Sequence, residues 1–348
     1  MLLRYIIIFF MTLLLSILLT PGFVKIAYRL GAVDKPGRRR VNTEPRARMG
    51  GPAMFIAFAV SVLAFSKHIQ GWQPVLMGSF IVLAVGLVDD VKPLKPMPKL
   101  FFQFVAAVAA YALGARIEML SNPFGGDMFV LPGWFSFLIT IAWMVGITNA
   151  LNLIDGLDGL AAGIVSIASL TFFLVAVSKG QTGAALMSLA MVGAAGGFLR
   201  WNFYPAKTFM GDSGAYFLGF AMAALSVTGA FKSTTTLTLL IPVLALGVPI
   251  ADTSFAILRR LAKRRPVMSG ADRGHIHHRF LNTGWHHRDA VITCYLITFL
   301  LSSIALAITR EWVLAIYLLL SVFVLTMILI GAGKIFKKQR KGGSSDAG

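Results

Sequence analysis

Four polar residues, Asn149, Asn152, Asp155 and Asp158, recur every three positions inside T-N-A-L-N-L-I-D-G-L-D-G-L-A-A-G, a stretch (148–163) otherwise apolar or small. Each three-residue step in an ideal α-helix turns about 60° backwards, so all four share one face only if the helix tightens or breaks. Gly156 and Gly159 lower helix propensity there and let a ligand or metal approach the backbone. Carboxylates beside a bilayer are expensive and are functional by default, which argues against a merely polar helix end.

Further carboxylates lie elsewhere in the chain. Asp89 and Asp90 are adjacent, and two neighbouring ionised groups repel unless a metal, a basic substrate or a proton offsets them. Lys99 follows ten residues later, suited either to binding a phosphate or to anchoring a helix at the interface. Asp212, in M-G-D-S-G, opens a predicted helix, where it either caps the helix or holds a hard cation such as Mg²⁺. Phe209 just before it stacks on a base or serves as a membrane anchor. Five of the six histidines fall within thirteen residues, as His275, His277, His278, His286 and His287. Zinc suits them poorly, because cysteine ligands are absent and the flanking arginines, Arg279 included, repel a cation. Phosphate oxygens fit better.

The elements that carry these residues are membrane helices. The 348 residues are 57% hydrophobic and 13% charged with a mean hydropathy of +0.77, which excludes a soluble globular protein and predicts an all-α polytopic membrane protein. Apolar runs near 5–24, 52–66, 74–88, 100–115, 133–151, 160–178, 183–199, 214–231, 236–257, 290–309 and 312–333 give about eleven spans. With eleven alternating crossings, 26 of the 32 Lys and Arg residues fall on one side. That side is cytoplasmic, so the N-terminus is outside and the C-terminus inside. Topology thus accounts for the net charge of +18 without a nucleic-acid partner, for which no basic soluble domain exists. Asp89, Asp90, Asp155, Asp158 and Asp212 all fall at cytoplasmic ends of spans or in the loops joining them, which predicts an active site on the cytoplasmic face.

Residues 1–336 read as one integral membrane domain, and 337–348 as a basic, Gly/Ser-rich disordered tail. The first span leads into a basic loop without a cleavage signature and reads as a retained anchor. The turn signals of 117–134 predict a small external hairpin. Cys294 reads as packing, and Asp252 as a structural partner in a span bent by Pro249.

Together these motifs resemble the polyprenyl-phosphate N-acetylhexosamine-1-phosphate transferases, glycosyltransferase family 4. The resemblance rests on R-M-G-G at 48–51, Asp89-Asp90, the 149–159 stretch, 209–214 and H-I-H-H-R at 275–279, in that order along nearly the whole chain. The H-I-H-H-R form is similar to the branch that uses N-acetylglucosamine 1-phosphate, whereas the phospho-MurNAc-pentapeptide branch carries a three-histidine run. Asn42 departs from the histidine frequent in that basic loop.

The resemblance implies transfer of N-acetylglucosamine 1-phosphate from UDP-N-acetylglucosamine to undecaprenyl phosphate, with release of UMP, in the bacterial cytoplasmic membrane. It implies Asp212 with Asp155 for Mg²⁺, or Mn²⁺ in its place. Asp89, Asp90, Asp155, Asp158 and Lys99 become the catalytic candidates, with Asp89 and Asp90 serving the lipid phosphate. Asn149, Asn152, Asn202, Phe209, Arg48, His275, His277, His278 and Arg279 become the substrate-binding ones. An oligomer is compatible with all of this. Another UDP-N-acetylhexosamine or phospho-MurNAc-pentapeptide is the alternative donor. A secondary transporter would cluster its ionisable groups at the midplane, and a CDP-alcohol phosphotransferase would carry D-G-x2-A-R, which is not found around Asp155.

Overall fold

The computed structural model describes residues 1–34, 45–120, 129–228, 239–264, 280, 283, 285–308, 311, 315, 316 and 319. Their helices are α1 (Leu2–Leu30), α2 (Gly50–Ala64), α3 (Trp72–Val91), α4 (Pro96–Ala112), α5 (Gly133–Ile154), α6 (Leu160–Ser178), α7 (Thr182–Asn202), α8 (Gly211–Val227), α9 (Leu240–Ala245), α10 (Gly247–Ala262) and α11 (His287–Ile308). Two short antiparallel hairpins complete the fold, β1 (Val33–Asp34) with β2 (Arg46–Ala47) and β3 (Met119–Leu120) with β4 (Phe129–Val130). The second is the hairpin expected in 117–134; the first was not foreseen.

The protein is a mostly helical, polytopic membrane protein. Among the described residues, six helices (α1, α3, α5, α6, α7 and α11) are long and apolar enough to cross a bilayer, and α2 is a shorter apolar helix. Ten of the eleven expected spans coincide with described helices, and the last, 312–333, lies almost wholly outside the described residues. The perimeter suits lipid: Phe10, Leu14 and Leu18 of α1 are all more than half exposed, an arrangement that water would penalise.

The ninth expected span is divided. Proline at 249 has no N–H to give the carbonyl of Ala245, and α9 ends at Ala245. Pro249 then sits in the first turn of α10, where a missing N–H costs nothing. Asp252 is buried in α10, within electrostatic reach of the buried Cys294.

Helix α8 is the hub, touching α2, α3, α5, α6 and α7. Every one of its residues is buried except Asp212. Small residues permit this. A Cβ on Gly51 of α2 would stand 2.4 Å from the Gly214 nitrogen, and one on Gly86 of α3 would stand 2.4 Å from the Ser213 Cα, so three helices meet backbone to backbone at the start of α8. On the far side, α1 lies against α7, where Ser16 Oγ donates to the Ala194 carbonyl at 2.8 Å.

Candidate active site

The start of α8 sits beside the end of α3 and the start of α4, and there the charged residues converge. The Asp90 carboxylate accepts the Asp212 N–H at 2.7 Å and both the hydroxyl and N–H of Ser213, at 2.6 and 3.2 Å. Asp90 therefore caps α8 from another helix, supplying acceptors for N–H groups that a helix start leaves unpaired. Gly211 allows the close approach: its φ is +73°, and a Cβ there would stand 2.4 Å from the Asp90 carboxylate. The Asp90 oxygens thus face protein donors, with an Arg48 nitrogen 3.9 Å away, the geometry of a positioning group.

Asp212 is consequently free of capping. Its carboxylate meets Lys99 Nζ at 2.8 Å and an Arg48 nitrogen at 3.5 Å. Lys99 also meets Asp89 at 2.7 Å, so one ammonium bridges carboxylates from α3 and α8. Asp89 accepts the Leu94 N–H at 2.7 Å, which fixes the turn leading to Lys99. Arg48 reaches the site because β2 pairs with β1, and the Arg48 N–H donates to the Ala32 carbonyl at 2.9 Å.

The polar quartet divides where the helix breaks. Asn149 and Asn152 lie in the last turns of α5, Asp155 follows its end, and Asp158 stands in the turn before α6. Asn149 donates to Gln103 of α4 at 2.5 Å and to the Val145 carbonyl at 2.8 Å, so its amide ties helices together. Asn152 and Asp155 are half-buried. Burial pushes the Asp155 carboxyl up to about 7; Asp212 adds to the rise, Arg48 opposes it, and Asp90 and Asp158 reinforce it.

Asp158 is buried and its carboxylate accepts the Ala206 N–H at 2.8 Å, with an Arg46 nitrogen at 3.6 Å. Asn202 is buried too; it accepts the Gly159 N–H and donates to the Thr208 carbonyl, both at 3.0 Å. Asn149, Asp158 and Asn202 were expected to meet substrate. In the structure each is hydrogen-bonded to protein and braces the walls, as a buried or half-buried amide or carboxylate needs partners. Phe209 is half-buried, with the Arg46 guanidinium 5.9 Å from its ring centre.

Arg46 and His287 were missed as site residues. One was hidden in a run of basic residues, the other behind a denser histidine motif; only the β-hairpin and the start of α11 reveal them. His275, His277, His278 and Arg279, and also Asn42, lie outside the described residues.

Among the described residues, no three His, Cys, Asp or Glu side chains form a ready-made metal cage. The all-oxygen donor set at Asp212 and Asp155 still fits Mg²⁺, which usually takes one or two carboxylates and completes its shell with water and substrate phosphates.

Residues 72–230, which contain Asp89, Asp90, Lys99, the quartet and Asp212, match glycosyl transferase family 4. A Bacillus subtilis protein named as a probable undecaprenyl-phosphate N-acetylglucosaminyl 1-phosphate transferase is 39% identical over 94% of this chain and 90% of its own length. The chain belongs to glycosyl transferase family 4. Two other relatives are also similar. The decaprenyl-phosphate N-acetylglucosaminephosphotransferase of Mycolicibacterium smegmatis is 37% identical over 79% of this chain and 75% of its own. The phospho-N-acetylmuramoyl-pentapeptide-transferase of Bacillus mycoides is 29% identical over 85% and 94%.

Proposed function

We propose that the protein transfers N-acetylglucosamine 1-phosphate from UDP-N-acetylglucosamine to undecaprenyl phosphate and releases UMP, beginning the assembly of a cell-envelope glycan. The observation that carries this reading is the bridge of Lys99 between Asp89 and Asp212, with Arg48 beside it. Two fixed cations among carboxylates suit a reaction that brings a lipid phosphate and a diphosphate together. The names of the N-acetylglucosamine-using relatives, at 39% and 37% identity against 29% for the pentapeptide transferase, support the choice of sugar.

A phosphate monoester with a second pKa of about 6 is largely dianionic at neutral pH, so the acceptor needs orientation more than deprotonation. Asp89 orients the acceptor and takes any residual proton. Lys99 and Arg48 offset the charge gathering on the transferred phosphate. The lipid phosphate oxygen attacks the sugar-bearing phosphorus, and the bond to the UMP oxygen breaks. In a two-step route through an aspartyl-phosphate, Asp89 would be the nucleophile, because Asp90 is occupied by α8. The nucleotide lies toward Phe209, Arg46 and Asn152, and the sugar phosphate toward the His275–Arg279 motif. Asp212 with Asp155 would hold Mg²⁺, or Mn²⁺ in its place, which would add neutralisation of the diphosphate charge. Eleven spans, an external N-terminus and a site on the cytoplasmic face of a bacterial inner membrane complete the reading.

Purified protein with undecaprenyl phosphate should release UMP from UDP-N-acetylglucosamine and form the lipid diphosphate sugar. No release, or faster release from UDP-MurNAc-pentapeptide, overturns the proposal.

A further inference from the structure

The turn between α5 and α6 has no helix of its own to satisfy its amides. At its end the Gly159 N–H is taken by Asn202. The Asp158 N–H is taken by Nε2 of His287, the first residue of α11, at 2.9 Å. An imidazole nitrogen that accepts a hydrogen bond carries no proton, so the neutral ring keeps its proton on Nδ1. That Nδ1 is shielded from solvent and has no hydrogen-bond partner among the described residues, where the Asp158 amide is the ring's hydrogen-bonded contact. One face of the ring is held as well: Tyr204 stacks on it with centroids 4.8 Å apart and planes 27° from parallel. Two turns later in α11, the Tyr295 hydroxyl donates to the Gly159 carbonyl at 2.6 Å.

We infer that His287 is a positioning residue for the donor pocket: its unprotonated Nε2 holds the Asp158 backbone, and through it the turn that presents Asp155. Asp158 in turn pins the 203–208 segment through the Ala206 N–H, the segment that leads to Phe209. One imidazole thus sets two walls of the nucleotide side while touching nothing on the lipid side, where Asp89 and Lys99 belong to α3 and α4.

This rests on the transfer reading above, and chemistry separates the two. Glutamine places its Oε1 where histidine has Nε2 and restores the acceptor; asparagine reaches only as far as Nδ1 and does not. UMP binding by calorimetry, steady-state kinetics and melting temperature are measured for His287→Ala, His287→Asn and His287→Gln in detergent. The Ala and Asn variants should weaken UMP binding and raise the KM for UDP-N-acetylglucosamine about fivefold or more. The KM for undecaprenyl phosphate should stay unchanged, the melting temperature should fall as the Asp158 N–H loses its acceptor, and Gln should return both nucleotide constants to near the wild type. Wild-type constants in the Ala variant, a Gln variant as impaired as Ala, or a parallel rise in the lipid KM each overturn the assignment. A wild-type protein that binds no UMP overturns the transfer reading, and this assignment with it.

Discussion

The Asp90 carboxylate accepts the backbone N–H of Asp212 at 2.7 Å, so one acidic residue holds the peptide that presents another. The two should therefore fail differently. Asp90→Ala strands buried donors at the head of α8, at about 1–3 kcal/mol for each one left unpaired, and should lower the melting temperature along with turnover. Asp212→Asn should abolish turnover at any practical Mg²⁺ concentration while leaving the Asp90 cap of α8 in place, because an amide is a poor ligand for a hard cation. An Asp90→Ala variant of wild-type stability would remove the capping role.

Lys99 stands where a cation between Asp89 and Asp212 must stand. Replacing it by Met leaves Asp89 without its cation and Asp212 with Arg48 at 3.5 Å, which is destabilising in a partly buried site. In chelator, Lys99→Met should melt below the wild type, and saturating Mn²⁺ should recover more of its stability than it adds to the wild type. Turnover should stay lost even with the metal present. Equal responses of the two proteins to Mn²⁺ would mean that Lys99 does not offset the charge of Asp89 and Asp212.

Asp155 supplies a pH test. Its folded-state carboxyl titrates near 7 against an ordinary value of 3.8, so between those values the folded protein binds the proton more tightly than the unfolded chain. Stability from this group is therefore greatest at low pH, falls as pH rises through that window and levels off above 7. In metal-free buffer Asp155→Asn should be more stable than the wild type at pH 8 and no more stable at pH 4. Melting curves at the two pH values, with chelator, measure the difference, and an unchanged gap between the proteins would sink the argument.

Orientation is open to direct labelling. His68 follows α2 and Lys95 precedes α4, both exposed, and the basic-residue bias assigns them to opposite sides. In a Cys294→Ser background of intact cells, an impermeant thiol reagent should label His68→Cys and spare Lys95→Cys. The reverse pattern would invert the topology.

The helices and the gathering of Asp89, Lys99 and Asp212 were legible from hydropathy, basic-residue bias and spacing, because these are properties of composition along the chain. The division of labour among the polar residues was not. Asp90 looks like Asp89 in sequence, and only a helix start arriving from residue 211 makes one a cap and leaves the other facing Lys99. The break after Ile154 was anticipated from the glycines, yet the partners of Asp158 and Asn202 come from 48 and 43 residues away, a separation that no local pattern encodes. Arg46 owes its place to a two-residue strand, below the length at which alternation is readable.

Because Gly51 and Gly86 meet Ser213 and Gly214 through their main chains, a side chain added at either glycine would have to push the start of α8, and Asp212 with it, out of place. An inhibitor gripping Asp89, Lys99 and Asp212 would therefore rest on a platform whose backing glycines have little room for resistance by substitution.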